Sequence, residues 1–386
     1  MKKHAAYIIT IIVSILYIFL GGRIASSDMQ LFEHIYQDDC ESATVTGIIA
    51  RQSASQEIDG VILGGGVNII FAAEIDTGDQ KGKMVTAVQN CDPDSPFDIR
   101  EVKTGDKVLL TRNFNNPESE YLLMGEHIRT DTLAVLAVVF FILLIAFGRI
   151  KGINTLISLV FTCMSIFMVF IPAVLSGKNI YFWSVLTCLF IIAMTLILVN
   201  GSNRLSLCAA IGCFSGVLAS GALYFISNHF LQLTGMVDED SLYLKFLLDD
   251  KTIDLKAIVF AAIIIGAVGA IMDVSVSMAA SLHEIKVSVP GSTPYSLMRS
   301  GITIGRDIMG TMSNTLILAY IGSSLSVTLL LIAYSGSWLA LLNREMIVVE
   351  ILQALIGSIG LMLTIPLTSL VCAIIYCKQD NVSTES

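Results

Sequence analysis

The chain has 386 residues, of which 54% are hydrophobic and only 14% charged, with a formal net charge of −9. Soluble globular domains carry about 25% charged residues, so lipid is the expected solvent for much of this chain. The acidic balance, concentrated in residues 24–131, argues against a nucleic-acid-binding surface, because phosphate contacts need the opposite sign.

The first apolar segment runs from Ala5 to Leu20, after Lys2 and Lys3. A basic start and an apolar core also describe a signal peptide. The following Gly-Gly-Arg-Ile-Ala-Ser-Ser is a weak cleavage site, so residues 1–23 are read as an uncleaved signal anchor.

Residues 24–131 form a second region, with 19 Asp/Glu against 8 Lys/Arg, a local net of −11. Candidate strands are Ala43–Gln52, Asn68–Ile75, Lys83–Gln89, Lys107–Arg112 and Tyr121–Ile128. Turn signals stand at Asp76-Thr77-Gly78-Asp79, Cys91-Asp92-Pro93-Asp94, Thr104-Gly105-Asp106 and Asn115-Asn116-Pro117. Five short strands with glycine-rich turns suit a small all-β, OB-like barrel. The region lacks a basic surface and an aromatic stacking set, so a protein partner, gating, assembly or a plain structural cap is expected of it. Cys40 and Cys91 are its two cysteines and, outside the cell, are candidates for a disulfide. The other six cysteines lie in or beside apolar segments, where they read as small hydrophobes.

Seven further apolar segments follow, at 132–148, 153–176, 180–200, 205–227, 257–281, 309–334 and 352–377. Each is read as a helix, because roughly 20 apolar residues cross the hydrocarbon core and an open strand there would leave its backbone unpaired. The expected fold is therefore an α-helical polytopic membrane protein of about eight spans, with an extracytoplasmic barrel after the first. With the N-terminus inside, the inner segments hold nine Lys/Arg (Lys2, Lys3, Arg149, Lys151, Arg204, Lys286, Arg299, Arg306 and Lys378). The outer short loops hold five (Lys178, Lys245, Lys251, Lys256 and Arg344). That bias places both termini, including the tail 379–386, in the cytoplasm.

Charged groups in mid-membrane are costly and usually mark function. Here they concentrate in the last three segments. Gly266, Gly269, Asp273, Ser277, Ala280 and Glu284 recur at helical spacing along one face. Asp273 stands about 12 Å from the inner end at 1.5 Å per residue. Asp307, Gly310, Thr311 and Asn314 share a face of the next segment, and Asn314 reaches nearly the depth of Asp273. Arg306 is a candidate counter-ion for Glu284 or Asp307. The last segment carries Glu350, Gln353, Gly357, Gly360 and Thr364 in one stripe, with Pro366 near its middle. Together the stripes are expected to line a polar path from Glu350 outside to Glu284 inside. The bland alternative is close helix packing through small residues, which is the preferred reading for Gly212-x-x-x-Gly216-x-x-x-Ser220 and also for Ser277, Gly357 and Gly360. Asp273 could also do no more than fix helix register through Asn314. Between the sixth and seventh segments, Lys286–Arg306 is expected to form an amphipathic inner element after the turn Pro290-Gly291-Ser292-Thr293-Pro294.

The stretches Met272-Asp273-Val274-Ser275-Val276-Ser277 and Gly305-Arg306-Asp307-Ile308-Met309-Gly310-Thr311-Met312-Ser313-Asn314-Thr315-Leu316 resemble the YibE/F family of bacterial membrane proteins. Gly148-Arg149-Ile150-Lys151-Gly152 and Gly357-Ser358-Ile359-Gly360-Leu361 with Pro366 are similar too. The resemblance covers roughly 130–378. It implies a multi-pass architecture and supplies no substrate.

Walker A, His-Glu-x-x-His, Gly-x-Ser-x-Gly and Cys-x-x-Cys patterns are absent from the sequence. Neither an enzyme, a cofactor nor a metal is therefore expected. The leading expectation is a permease, with Asp273 at the core of the path, Asn314 and Ser277 as its hydrogen-bonding partners, and Glu350 and Glu284 at the mouths. The alternative is a non-transporting scaffold or complex subunit whose barrel binds a protein partner.

Overall fold

The computed structural model describes residues 2–27, 40–58, 61–78, 80–91, 100–111, 122–246, 253–334 and 336–383. They fall into two compact units, one of residues 31–143 and one of residues 1–30 with 144–386. The turns expected at Asp92–Asp94 and Asn115–Pro117 lie outside the described residues, as do Arg112, Tyr121, Asp249, Asp250 and Lys251.

All five expected strands form in the smaller unit: β1 (Glu41–Ile58), β2 (Val61–Ile75), β3 (Met84–Cys91), β4 (Lys107–Thr111) and β5 (Leu122–His127). Their alternation of apolar and polar residues turns one set inward, as a two-residue period requires. Ala43, Val45, Ile69, Phe71, Ala73, Ala87, Val108 and Leu110 thereby make the core. The strands close into a barrel in the order β1-β2-β3-β5-β4, with β3 parallel to β5 and every other pair antiparallel. A closed five-stranded barrel of this order agrees with the OB-like expectation. Gln89 is the polar member of the interior. Its Nε2 donates to the Arg100 carbonyl and its Oε1 accepts from Val102 N, both at 2.8 Å, which pins the segment before β4. Gly105 turns that segment at φ 92°, a left-handed conformation that favours glycine.

Cys40 and Cys91 are not bonded to each other, contrary to the disulfide expectation. Cys40 leads into β1 and Cys91 ends β3, and these strands do not pair: β2 lies between them one way round the barrel, β4 and β5 the other. Strands two apart are about 10 Å apart across the sheet at roughly 4.8 Å per strand, whereas a disulfide needs Cα atoms within about 7 Å.

The helices are α1 (Lys2–Ala25), α2 (Thr130–Ser165), α3 (Ile171–Leu175), α4 (Ile180–Asn200), α5 (Arg204–Leu231), α6 (Glu239–Phe246), α7 (Leu255–Ser288), α8 (Pro294–Ser323), α9 (Leu325–Tyr334), α10 (Trp338–Leu342) and α11 (Glu345–Ser383). A π-helical turn, Ile166–Phe170, joins α2 to α3. By length and composition, six of the described helical runs could cross a membrane, or seven if α8 and α9 count as one. The run Thr130–Leu175 is two helices meeting at a break at Arg149 (φ 49°, ψ −127°), between the expected segments 132–148 and 153–176. After the break, a Cβ on Gly152 would overlap the Leu144 carbonyl, so only glycine lets the chain turn back this tightly.

The seventh expected segment, 309–334, is redrawn. The amphipathic element and the apolar stretch are one continuous helix from Pro294, capped by the Thr293 hydroxyl accepting from Ser296 N at 3.2 Å. The break comes later, as a 63° bend between α8 and α9. Gly322 stands there, and Ser323 and Ser324 both donate to the Tyr320 carbonyl at 2.9 Å. Gly and Ser at a kink, with hydroxyls competing for a helix carbonyl, account for the bend.

α7 is the centre of the larger unit, with α4, α5, α8 and α11 all packed against it. Its apolar face (Ile263, Ile264, Ile271, Val274, Met278 and Leu282) is fully buried. α5 and α11 meet through small residues. A Cβ on Gly212 would overlap Thr368, one on Gly216 would overlap Thr364, and one on Gly360 would overlap Ser220. The packing reading of Gly212, Gly216, Ser220 and Gly360 is thus borne out. Gly301 and Gly305 of α8 serve likewise against Ser369 and Ile365 of α11.

Candidate functional site

The three helices that carry the polar stripes are neighbours: α7, α8 and α11 pack on one another. What they bring together is concentrated near the start of α11. Glu350 and Gln353 are half-buried there, one turn apart. Tyr320 reaches them from α8, and Glu350 also faces Ser324. A Cβ on Gly266 of α7 would lie 3.0 Å from the Tyr320 hydroxyl, and one on Gly357 would lie 3.6 Å from it. The two glycines therefore make the slot that the ring fills. The Tyr320 hydroxyl is buried without a well-formed hydrogen bond among the described residues. Tyr320 is the member that sequence reasoning missed. Its signal was position: it follows Asn314 by six residues on an otherwise apolar stretch.

Asp273 stands apart from this cluster. It is exposed on the face of α7 away from the core, with Gly269 and Ser277 beside it. It makes no side-chain hydrogen bond or ion pair among the described residues, so the expected Asp273–Asn314 contact is not formed. Asn314, Asp307 and Arg306 are likewise exposed on α8, and Glu284 is exposed near the end of α7. Arg306 pairs with neither Glu284 nor Asp307. The physical reason is the binary pattern of α7. Its large aliphatic residues are drawn to α5 and α11, and the small polar face is what remains outside. The stripes of α7 and α8 therefore lie open on a single chain, and the described residues form no enclosed channel between them.

The glycines separate into two kinds. Those of α5, and Gly301, Gly305, Gly357 and Gly360, are held by close neighbours. Gly269 and Gly310 meet nothing within 4 Å. Packing inside this chain accounts for the first kind and leaves the second unexplained. Ser277 belongs with the second, since it is exposed.

Among the described residues no group of three or more His, Cys, Asp or Glu gathers as metal ligands. One clamp is purely structural: the Glu345 carboxylate accepts from Thr234 N (2.7 Å), Gly235 N (2.6 Å) and the Thr234 hydroxyl (2.8 Å), tying the segment after α5 to the start of α11.

The helical region from within α2 to the end of α11 matches one family, the YibE/F-like proteins, over residues 136–378. The chain belongs to the YibE/F-like family. The match takes in the break at Arg149, the whole of α7 with Asp273, α8 with Arg306–Asn314, and α11 up to residue 378. In this YibE/F-like chain the barrel, 41–127, lies outside the matched region. No curated protein and no solved structure matches the chain.

Proposed function

We propose that this YibE/F-like chain is a multi-pass protein of the bacterial cytoplasmic membrane, with both termini inside and the barrel outside. The apolar helical runs and the family support the membrane setting, and the Lys/Arg bias supports the orientation. We further propose a permease-like role, in which the Asp273 face of α7 borders a polar path for a cation or a proton. No catalytic step is part of the reading.

One observation carries it. Asp273 is an unpaired carboxylate, midway along a helix otherwise apolar enough to span, on a face that two other exposed small residues flank. Hydrocarbon against such a group is costly, so this face is read as turned to water or to protein. The Tyr320–Gln353–Glu350 cluster would stand at the outer mouth, with Glu284 at the inner one. The test is Asp273→Asn in a flux assay on membrane vesicles. Transport should fall to background while the protein still reaches the membrane in normal amount.

A second reading rests on the absence, among the described residues, of any helix that covers the Asp273 face. In that reading the chain is a non-transporting subunit of a membrane complex, and another protein supplies the cover. Asp273→Asn would then leave flux unchanged and weaken assembly instead.

A further inference from the structure

Where β5 runs into α2, the smaller unit contains a cavity of about 420 Å³. Its lining includes Arg100, Asp106, Lys107, His127 and Arg129, and the first turn of α2 at Thr132 and Leu133. Three cations, an imidazole and one carboxylate line it, and two further carboxylates, Asp131 and Glu126, stand beside it on Lys107 and Arg129. Asp106 is committed, accepting from Arg100 Nη2 (2.8 Å) and Lys103 N (2.9 Å). The Arg100 carbonyl accepts from Gln89 Nε2 (2.8 Å) and lies 3.1 Å from His127 Nε2. Arg100 is therefore anchored at its backbone and oriented at its guanidinium.

We propose that this cavity binds a phosphate group carried on a lipid headgroup. Arginine forks and a helix N-terminus are the usual means of holding phosphate. The cations have partners on the free chain: Arg100 with Asp106, Lys107 with Asp131 at 2.7 Å, and Arg129 with Glu126 at 3.6 Å. The Lys107 and Arg129 pairs are exposed and such pairs are weak, so they can open toward an anionic ligand, while Asp106 keeps the Arg100 guanidinium oriented. A lipid is preferred to free phosphate because of what lies below the site. From Leu133 onward α2 exposes Val135, Leu136, Val138, Val139 and Phe140, so acyl chains have an apolar surface to follow. The site lies on the boundary between a polar and an apolar surface, where headgroups sit. The lipid source rests on the reading that α2 enters the bilayer, which resistance of the protein to alkaline extraction from membranes scores separately.

The experiment uses the full chain in an uncharged detergent and follows its thermal midpoint. The ligands are dihexanoyl phosphatidylglycerol, dihexanoylglycerol, which lacks the phosphate, and inorganic phosphate. Dihexanoyl phosphatidylglycerol should raise the midpoint saturably. Dihexanoylglycerol should leave it unchanged, and inorganic phosphate should need a concentration about tenfold higher or more. Arg100→Gln and Arg129→Gln should each weaken the phospholipid effect about tenfold, the worth of one charge-assisted hydrogen bond. Arg129 has a side chain 74% exposed, so its replacement leaves the fold intact. Equal responses to the two lipids, or wild-type binding in both variants, overturn the proposal. Equal affinity for inorganic phosphate overturns the lipid source.

Discussion

Gly216→Ala tests whether α5 and α11 are held by close approach. The added Cβ would overlap the Thr364 hydroxyl and stand 3.1 Å from both Thr364 Cβ and Ile271 Cγ2. Thr364 cannot yield. It is fully buried, β-branched, and its hydroxyl donates to the Gly360 carbonyl at 2.7 Å. The helices must part instead, and overpacking of this kind costs about 1–3 kcal/mol. Replacing helical glycine by alanine returns up to about 1 kcal/mol of helix propensity. The net loss should be about 1–2 kcal/mol, read as a lower thermal midpoint in detergent. Thr364→Ala in the same chain removes the obstructing atoms, so the double variant should be more stable than the sum of the two single effects by about 1 kcal/mol or more. A Gly216→Ala chain as stable as wild type, or strictly additive effects, would refute the close-packing argument.

Three other outcomes are expected. Glu345→Gln should cost about 1–3 kcal/mol, because three charge-assisted hydrogen bonds weaken together; limited proteolysis should then cut near Thr234 first. Cys91 is held above the ordinary thiol range, first by burial and then by Glu101. A raised value means less thiolate at pH 8, so Cys91 should react with iodoacetamide more slowly than an unstructured cysteine, the gap closing as pH rises. Asp254→Ala should cost about 1 kcal/mol, since its carboxylate caps α7 through Lys256 N (3.0 Å) and Ala257 N (3.3 Å).

The strands were legible in the sequence because a two-residue period and punctuating turns leave few alternatives, and closure followed from their number. The disulfide expectation failed because spacing along the chain carries no information about which strands intervene. Long apolar runs were legible as helices, and so was the break between 148 and 153, but the bend inside 309–334 was not. The charged, glycine-flanked stretch around Arg149 interrupts the apolar run, whereas the bend at Ser324 depends on local backbone geometry, which hydropathy averages away. For the candidate site, periodicity identified the faces of α7, α8 and α11 correctly. It could not tell which way each face points, because that is decided by the large residues opposite. Asp273 therefore came out open, where the stripes suggested a closed path. Tyr320 was passed over because an aromatic residue in an apolar run reads as core, and only the gap left by Gly266 and Gly357 reveals its place.

The most direct test of the account is chemical access to the Asp273 face. In a cysteine-free background, Ser277→Cys and Leu318→Cys are treated in intact membranes with a charged, membrane-impermeant thiol reagent. Both positions are exposed on the single chain. The account predicts that a cysteine at 277 is labelled from the water, or is shielded only while a partner protein is bound, whereas a cysteine at 318 stays unlabelled throughout. Inertness at both positions, with photo-crosslinking from position 277 yielding only lipid adducts, would contradict it.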